Sequence, residues 1–173
     1  MHAAIAWLLI GLASWTLVEY VIHGILSHQL QSFVAPLHAV HHHDQHAVFA
    51  LGAWVPAVGV MAAMALVWGW APQTLFYLGL LGGFAGYEII HYRLHFARTL
   101  TPWEVRLRLH HRIHHLVSPS RCFGVSTMLW DWALGTGIGA AERHRYKGLL
   151  QLPPLSGPSN LGQLLAAVRP RSR

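Results

Sequence analysis

Histidine spacing constrains this chain more than any other feature. His38, His41 and His42 spell HxxHH, and His111, His114 and His115 spell it again. His91 and His95 form HxxxH, and His23 and His28 form HxxxxH. Residues three and four apart on a helix share a face, so each HxxHH can turn its rings toward one point. A solvated helix face would account for one such run, but not for four clusters that gather ten of the fifteen histidines. Neutral imidazole is the commonest metal ligand among side chains, and the recurrence points to metal binding. Ten imidazoles are too many for one tetrahedral ion and suit two metals with four or five ligands each. The pair His23 and His28 fits least well. Five residues on a regular helix leave them about 140° apart, so the helix must loosen at Gly24 or the two must serve different metals.

The apolar stretches between the clusters set the fold class. Hydrophobic residues make up 54% of the 173 and charged residues only 10%, where a soluble domain carries about 25% charged; the chain reads as an integral membrane protein. Residues 3–22 are long enough to cross a hydrocarbon core of ~30 Å. A signal peptide is the competing reading, but no basic region precedes the stretch and it runs unbroken into Glu19 and His23. The segment from His23 to His46 is polar and sits outside the hydrocarbon. A second span covers 48–71, with Pro56 as a kink and Trp68 and Trp70 at the interface. A third covers 74–90, where Gly79, Gly82, Gly83 and Gly86 allow a neighbouring helix to approach closely. Thr101, Pro102 and Glu104 then read as an N-cap, a first-turn proline and the far half of a capping box, opening a helix to about His115. Its mixture of apolar residues with Arg106, Arg108 and Arg112 suits a helix lying along the membrane surface. Residues 124–132 read as a short apolar interfacial segment. From Lys147 the chain is rich in Pro, Gly and Ser, with at most a short helix near 160–168, so residues 1–146 form the membrane domain and 147–173 a tail.

Topology gathers the clusters. No span separates His23 from His46, two separate His46 from His91, and none separates His95 from His115, so all four emerge on one membrane face. All twelve Lys and Arg residues lie at or after Arg93, which by the positive-inside rule makes that face cytoplasmic, with the N terminus outside and the C terminus inside. The same asymmetry, without a basic face on a soluble fold, argues against nucleic acid as a partner. Only Lys147 among the twelve is lysine, a bias that suggests a GC-rich bacterial genome and hence a bacterial cytoplasmic membrane. The fold class expected is therefore all-α: three transmembrane helices under a cytoplasmic, His-rich helical cap that holds a di-metal centre. The lone Cys122 rules out an intramolecular disulfide and every CxxC motif. Glu19, Asp44, Glu88 and Asp131 are expected as acceptors that orient histidine N–H groups, an exposed Asp44 without a role being an equal alternative for that residue. Zinc hydrolysis would need a positioned carboxylate base that the sequence does not offer. Oxygen activation at histidine-rich iron fits better, and a centre at headgroup depth can receive an acyl chain from the bilayer.

The motifs resemble those of the membrane fatty acid hydroxylase and sterol desaturase superfamily, most closely fatty acid 2-hydroxylases. Glu19 to His23 and then His28 resemble the first box, and His38, His41 and His42 the second. Tyr87 to His95 resembles the third, and His111, His114 and His115 the fourth. The segments Phe123 to Thr127, Leu129 to Trp132 and Gly135 to Thr136 resemble the family's stretch C-terminal to the fourth box. The likeness runs from about Leu12 to Thr136.

The resemblance implies a non-haem di-iron oxygenase that hydroxylates a lipid acyl chain with O2 and electrons from an external donor, a cytochrome, ferredoxin or similar. It makes His23, His28, His38, His41, His42, His91, His95, His111, His114 and His115 ligands of two iron ions, for which zinc can substitute. Tyr87 and Glu88 fall near substrate and metal. The chain departs from the family pattern in carrying Glu88 for Asp and Gly24 for the Arg usual after the first histidine. It also lacks one upstream span and a fused haem-binding electron-transfer domain. His2, His43, His46, His110 and His144 have no box counterpart. Carotenoid hydroxylases are similarly short, but their third box is HxxxxH. The alternatives are a desaturase or a sterol or carotenoid oxidase on the same scaffold and, in another class, a membrane protein that binds zinc without redox turnover.

Overall fold

The computed structural model describes residues 2–30 and 32–156, and among these the chain is helical with no strand. Helix α1 (His2–Tyr20) passes into a π-helical segment, Val21–Gln29, and the chain continues through α2 (Ala35–His43), α3 (Leu51–Trp68), α4 (Pro72–Phe96), α5 (Pro102–Leu116), α6 (Leu129–Ala133) and α7 (Ala140–Arg145) to a 3-10 turn at Lys147–Gln151. Two helical stretches are long and apolar enough to cross a bilayer, His2–Gln29 and Leu51–Trp68. No side chain of α3 is buried, and its Val55, Leu66 and Val67 are 79%, 86% and 70% exposed. A helix that is apolar all round and leaves most of its surface uncovered, meeting α4 through residues such as Trp54 and Ala57, matches lipid as its solvent. The reading of 74–90 as a third span rests on α4, which is 25 residues long but does not share the apolar character of the other two.

Backbone contact joins α1 to α4. A Cβ built on Gly79 would lie 2.2 Å from the Leu8 carbonyl oxygen, and one on Gly11 would lie 2.0 Å from that of Phe76. These two glycines let the helices touch where side chains would hold them apart. Gly83 serves the Trp15 side chain in the same way, while Gly82 and Gly86 face room enough for a methyl group, so only part of the glycine series is used in packing.

At its other end α4 runs on to Phe96, so the box with His91 and His95 is a continuation of that helix. Helix α5 opens with the expected capping box, Thr101 and Glu104 each satisfying the other's backbone N–H. Its arginines do not all face outward as a surface helix would have them. Arg106 is exposed, but Arg108 is buried and donates to the carbonyls of Arg93, Leu94 and Ala97, closing the C-terminal end of α4. Arg112 donates to the carbonyls of Leu149, Leu152 and Pro153. The first residues of the tail are thereby docked on α5, with Tyr146, Leu149 and Leu150 packed over Leu109, Ile113, Cys122 and Ile138; the short helix expected at 160–168 lies outside the described residues. The interfacial segment expected at 124–132 divides as well. Phe123, Gly124 and Val125 form a buried loop, and only α6 presents apolar residues outward, with Trp132 81% exposed.

Candidate metal centre

The ten box histidines meet in two groups of five. His23 and His28 from the π-helical segment, His38 and His42 from α2 and His114 from α5 form one; His41 from α2, His91 and His95 from α4, and His111 and His115 from α5 form the other. Within each group the candidate ligand nitrogens all lie within 4.8 Å of one another. Each HxxHH is divided between the groups, which corrects the expectation of three rings converging on one point. Residues four apart lie about 40° apart around a helix, whereas the third histidine is about 60° off on the other side of the first. His38 with His42, and His111 with His115, therefore share a group, and His41 and His114 cross to the opposite one.

The π-helical segment removes the misfit of His23 and His28. Pairing each N–H five residues back, as Leu30 N–H does to the Ile25 carbonyl at 2.9 Å, widens the turn so that residues five apart share a face. The two rings sit 5.5 Å apart in the same group. Ser27 and Ser32 hydroxyls donate to the carbonyls of Ile22 and Leu26 along this segment. Gly24 lies against the Phe123 ring, and a Cβ there would meet it at 2.8 Å, so a side chain at this position would have to displace Phe123.

The hydrogen bonds of His23 and His114 test whether the site suits a cation. His23 Nδ1 donates to the Phe123 carbonyl and His114 Nδ1 to that of Arg121. Carbonyl oxygens only accept, so in both neutral rings the proton is on Nδ1 and Nε2 carries a bare lone pair. Those two Nε2 atoms face each other at 3.1 Å with no hydrogen to share. Burial holds His114 down to about 3, against the opposing pull of the Arg121 carbonyl, so the ring is neutral near pH 7. Burial and neighbouring imidazoles likewise push His38 down to about 2 and His41 to about 4, and lower His111 and His115. His28 Nε2 and His38 Nε2 are buried with no hydrogen-bond partner among the described residues. Converging lone pairs on neutral, buried imidazoles are a donor set for a metal ion of the zinc or iron type, and the residues present fit one.

The carboxylates do other work than expected. Glu19 accepts from the N–H groups of Val125 and Ser126 and from the Ser126 hydroxyl, and touches no histidine. Asp131 accepts from His110, outside the ten, and from Phe123 N–H, Gly124 N–H and the Thr136 hydroxyl. Asp44 is exposed and bonds His46. Glu88 accepts from Ala50 N–H at 2.8 Å and Trp54 Nε1 at 3.4 Å, tying the start of α3 to α4. For His23 and His114 it is backbone carbonyls that orient the ring N–H groups, a role that residue identity cannot signal. Tyr87 lies with its ring 5.4 Å from that of His91, at the inner end of an aromatic row that continues through Phe84 to Trp15 and Trp54.

Residues 8–136 match the sequence model described as fatty acid hydroxylase. The chain belongs to the fatty acid hydroxylase family. It is 31% identical over 150 residues to dihydroceramide fatty acyl 2-hydroxylase FAH2 of Arabidopsis thaliana, a match that covers 77% of this chain and 62% of the plant protein. It is 32% identical over 143 residues to the fatty acid 2-hydroxylase of Rattus norvegicus, covering 75% and 38%. The chain thus matches less than two thirds of the length of either relative. In fold it is similar to the visible hydroxylase domain of full-length scs7p, with a TM-score of 0.62 at 20% identity over 88% of this chain and 59% of that one.

Proposed function

We propose that this hydroxylase-family chain is a membrane oxygenase that hydroxylates a lipid acyl chain at a di-iron centre. The observation that carries the reading is the division of ten buried or half-buried histidines into two groups of five, each able to hold one ion. When bound, the two irons supply activation of O2, one oxygen atom entering a C–H bond and the other leaving as water, with two electrons and two protons from an external donor.

The protein's own residues bind and enclose. Trp15, Trp54, Phe84 and Tyr87 offer an apolar row along α4 by which an acyl chain can reach His91 from the bilayer. Burial of His91, His111 and His114 keeps bulk water from the centre. Glu88 holds Trp54 in that row. The orientation rests on charge: α4 is the third span, the N terminus is outside, and the face with the histidines and every Lys and Arg is cytoplasmic, in a bacterial membrane.

Protein made in iron-replete cells and purified in detergent should contain two irons per chain. With a reductant, a reductase and O2 it should add one oxygen to an acyl chain, measured by product mass. Loss of two hydrogens instead would make it a desaturase, and two zinc ions with no O2-dependent product would make it a zinc-binding protein.

A further inference from the structure

We propose that Asp131, assisted by Glu19, is a positioning residue for one of the two histidine groups, acting through the backbone of the loop 121–126. The inference rests on the reading of both groups as metal sites and assigns them unequal construction. In the group containing His23 and His114, two imidazoles have their tautomers fixed by the carbonyls of Phe123 and Arg121. In the other group the Nδ1 atoms of His111 and His115 meet no acceptor among the described residues, and His41 and His91 turn to the backbone of Ala47 and Val48, a segment apart from the loop 121–126.

The two carbonyls are delivered by a loop that does not hold itself. Between them stands Cys122 at φ 62°, a left-handed conformation that a non-glycine residue adopts only when its surroundings impose it. Its N–H donates to the Thr136 carbonyl, fixing the turn from one side. Asp131 fixes it from the other: Oδ1 accepts from Phe123 N–H and the Thr136 hydroxyl, and Oδ2 from Gly124 N–H and His110. This carboxylate, 1% exposed, is filled by two loop N–H groups, the Thr136 hydroxyl and His110 of α5, and it touches no box histidine. Glu19 continues the clamp over Val125 and Ser126. Glu19 stands four residues before His23, so the same helix supplies both the ring and the group that secures the ring's acceptor loop.

A hydrogen-bond partner of a ligand histidine changes metal affinity by about 10- to 100-fold when removed. Asp131 acts one bond farther out, so Asp131→Asn, which turns an N–H toward the loop's own N–H groups, should weaken one site by about 10-fold. The test counts metal, not turnover, in a cycle of variants. Wild type, His23→Ala and His91→Ala are each loaded with zinc, stripped with graded chelator and assayed for ions per chain, with and without Asp131→Asn. The inference requires that Asp131→Asn remove the ion left in His91→Ala and leave untouched the ion held in His23→Ala. Equal weakening in both backgrounds is what a merely structural role would give, and it overturns the proposal, as does no weakening in either. Should Asp131→Asn fail to fold, Thr136→Val removes one hydroxyl from the clamp and must show the same selectivity. Wild type that binds no metal would overturn the di-metal reading itself.

Discussion

Adding one methyl group at Gly79 should separate α1 from α4. A Cβ there lies 2.2 Å from the Leu8 carbonyl oxygen and 2.9 Å from Leu12 N, where real Cβ atoms keep at least 3.0 Å. Both obstacles are backbone, so no rotamer can relieve them and the helices must part by most of an ångström. A radial gap of 0.5–1 Å forfeits about a quarter to a half of each contact's dispersion well, and overpacking of this kind destabilises by about 1–3 kcal/mol. Alanine's better helix propensity returns up to about 1 kcal/mol. With the full propensity gain the net for Gly79→Ala is a loss of up to about 2 kcal/mol, a melting midpoint lower by up to several degrees at ~2–4 °C per kcal/mol for a chain of this size. Gly86→Ala, on the same helix with nothing within 4 Å of its Cβ, keeps the propensity gain without the clash and should melt at or above wild type. Gly11→Ala, whose Cβ would meet Phe76 O at 2.0 Å, should resemble Gly79→Ala, and the double variant should lose less than both together because the first methyl has already parted the helices. Thermal melting of wild type and the four variants in one detergent decides this. Gly79→Ala melting level with Gly86→Ala would show that backbone contact does not hold the pair together.

The geometry predicts three further outcomes. Glu88→Gln should keep full metal content and lose about 1 kcal/mol of stability, since one amide oxygen can replace the carboxylate toward Ala50 or Trp54 but not toward both; loss of metal would place Glu88 among the groups that orient the histidines. The Glu104 carboxyl is held down to about 2 by the Arg93 hydrogen bond and the Thr101 N–H, against 4.5 when free, so its stabilisation is complete above about pH 4.5 and lost as pH falls toward 2. Glu104→Gln should flatten the fall of melting temperature between about pH 5 and 3, and an unchanged slope would assign that fall to other carboxylates. A reporter fused at Arg173 should be active only on the cytoplasmic side, and activity outside would reverse the orientation.

The gathering of the ten histidines was legible in sequence because it needs a particular side chain at helical spacing, and both the residue and the spacing are written in the chain. The capping box at Thr101 and Glu104 and the apolar stretches of α1 and α3 were legible for the same reason: each is a local rule with a local signature. What the histidines do pairwise was not. HxxHH shows that three rings lie near one helix face, but only the positions of α2 and α5 between two sets of neighbours send His41 and His114 to opposite groups. The π-helical turn that unites His23 with His28 has no signature in its local residues, and its Gly24 lies against Phe123, about a hundred residues away. The carboxylates misled for a related reason: Glu19, Asp131 and Glu88 announce acceptors, yet which donor fills each is settled by packing, and in this fold backbone N–H groups together with Ser126, Thr136, His110 and Trp54 side chains fill them, none of them one of the ten box histidines. The sequence by itself determined which residues could carry the chemistry, since that is a property of side chains. Their partition into two sites, and the backbone carbonyls that fix two of the rings, were decided only by tertiary structure, because a carbonyl is the same in every residue and acquires a role solely from where the fold puts it.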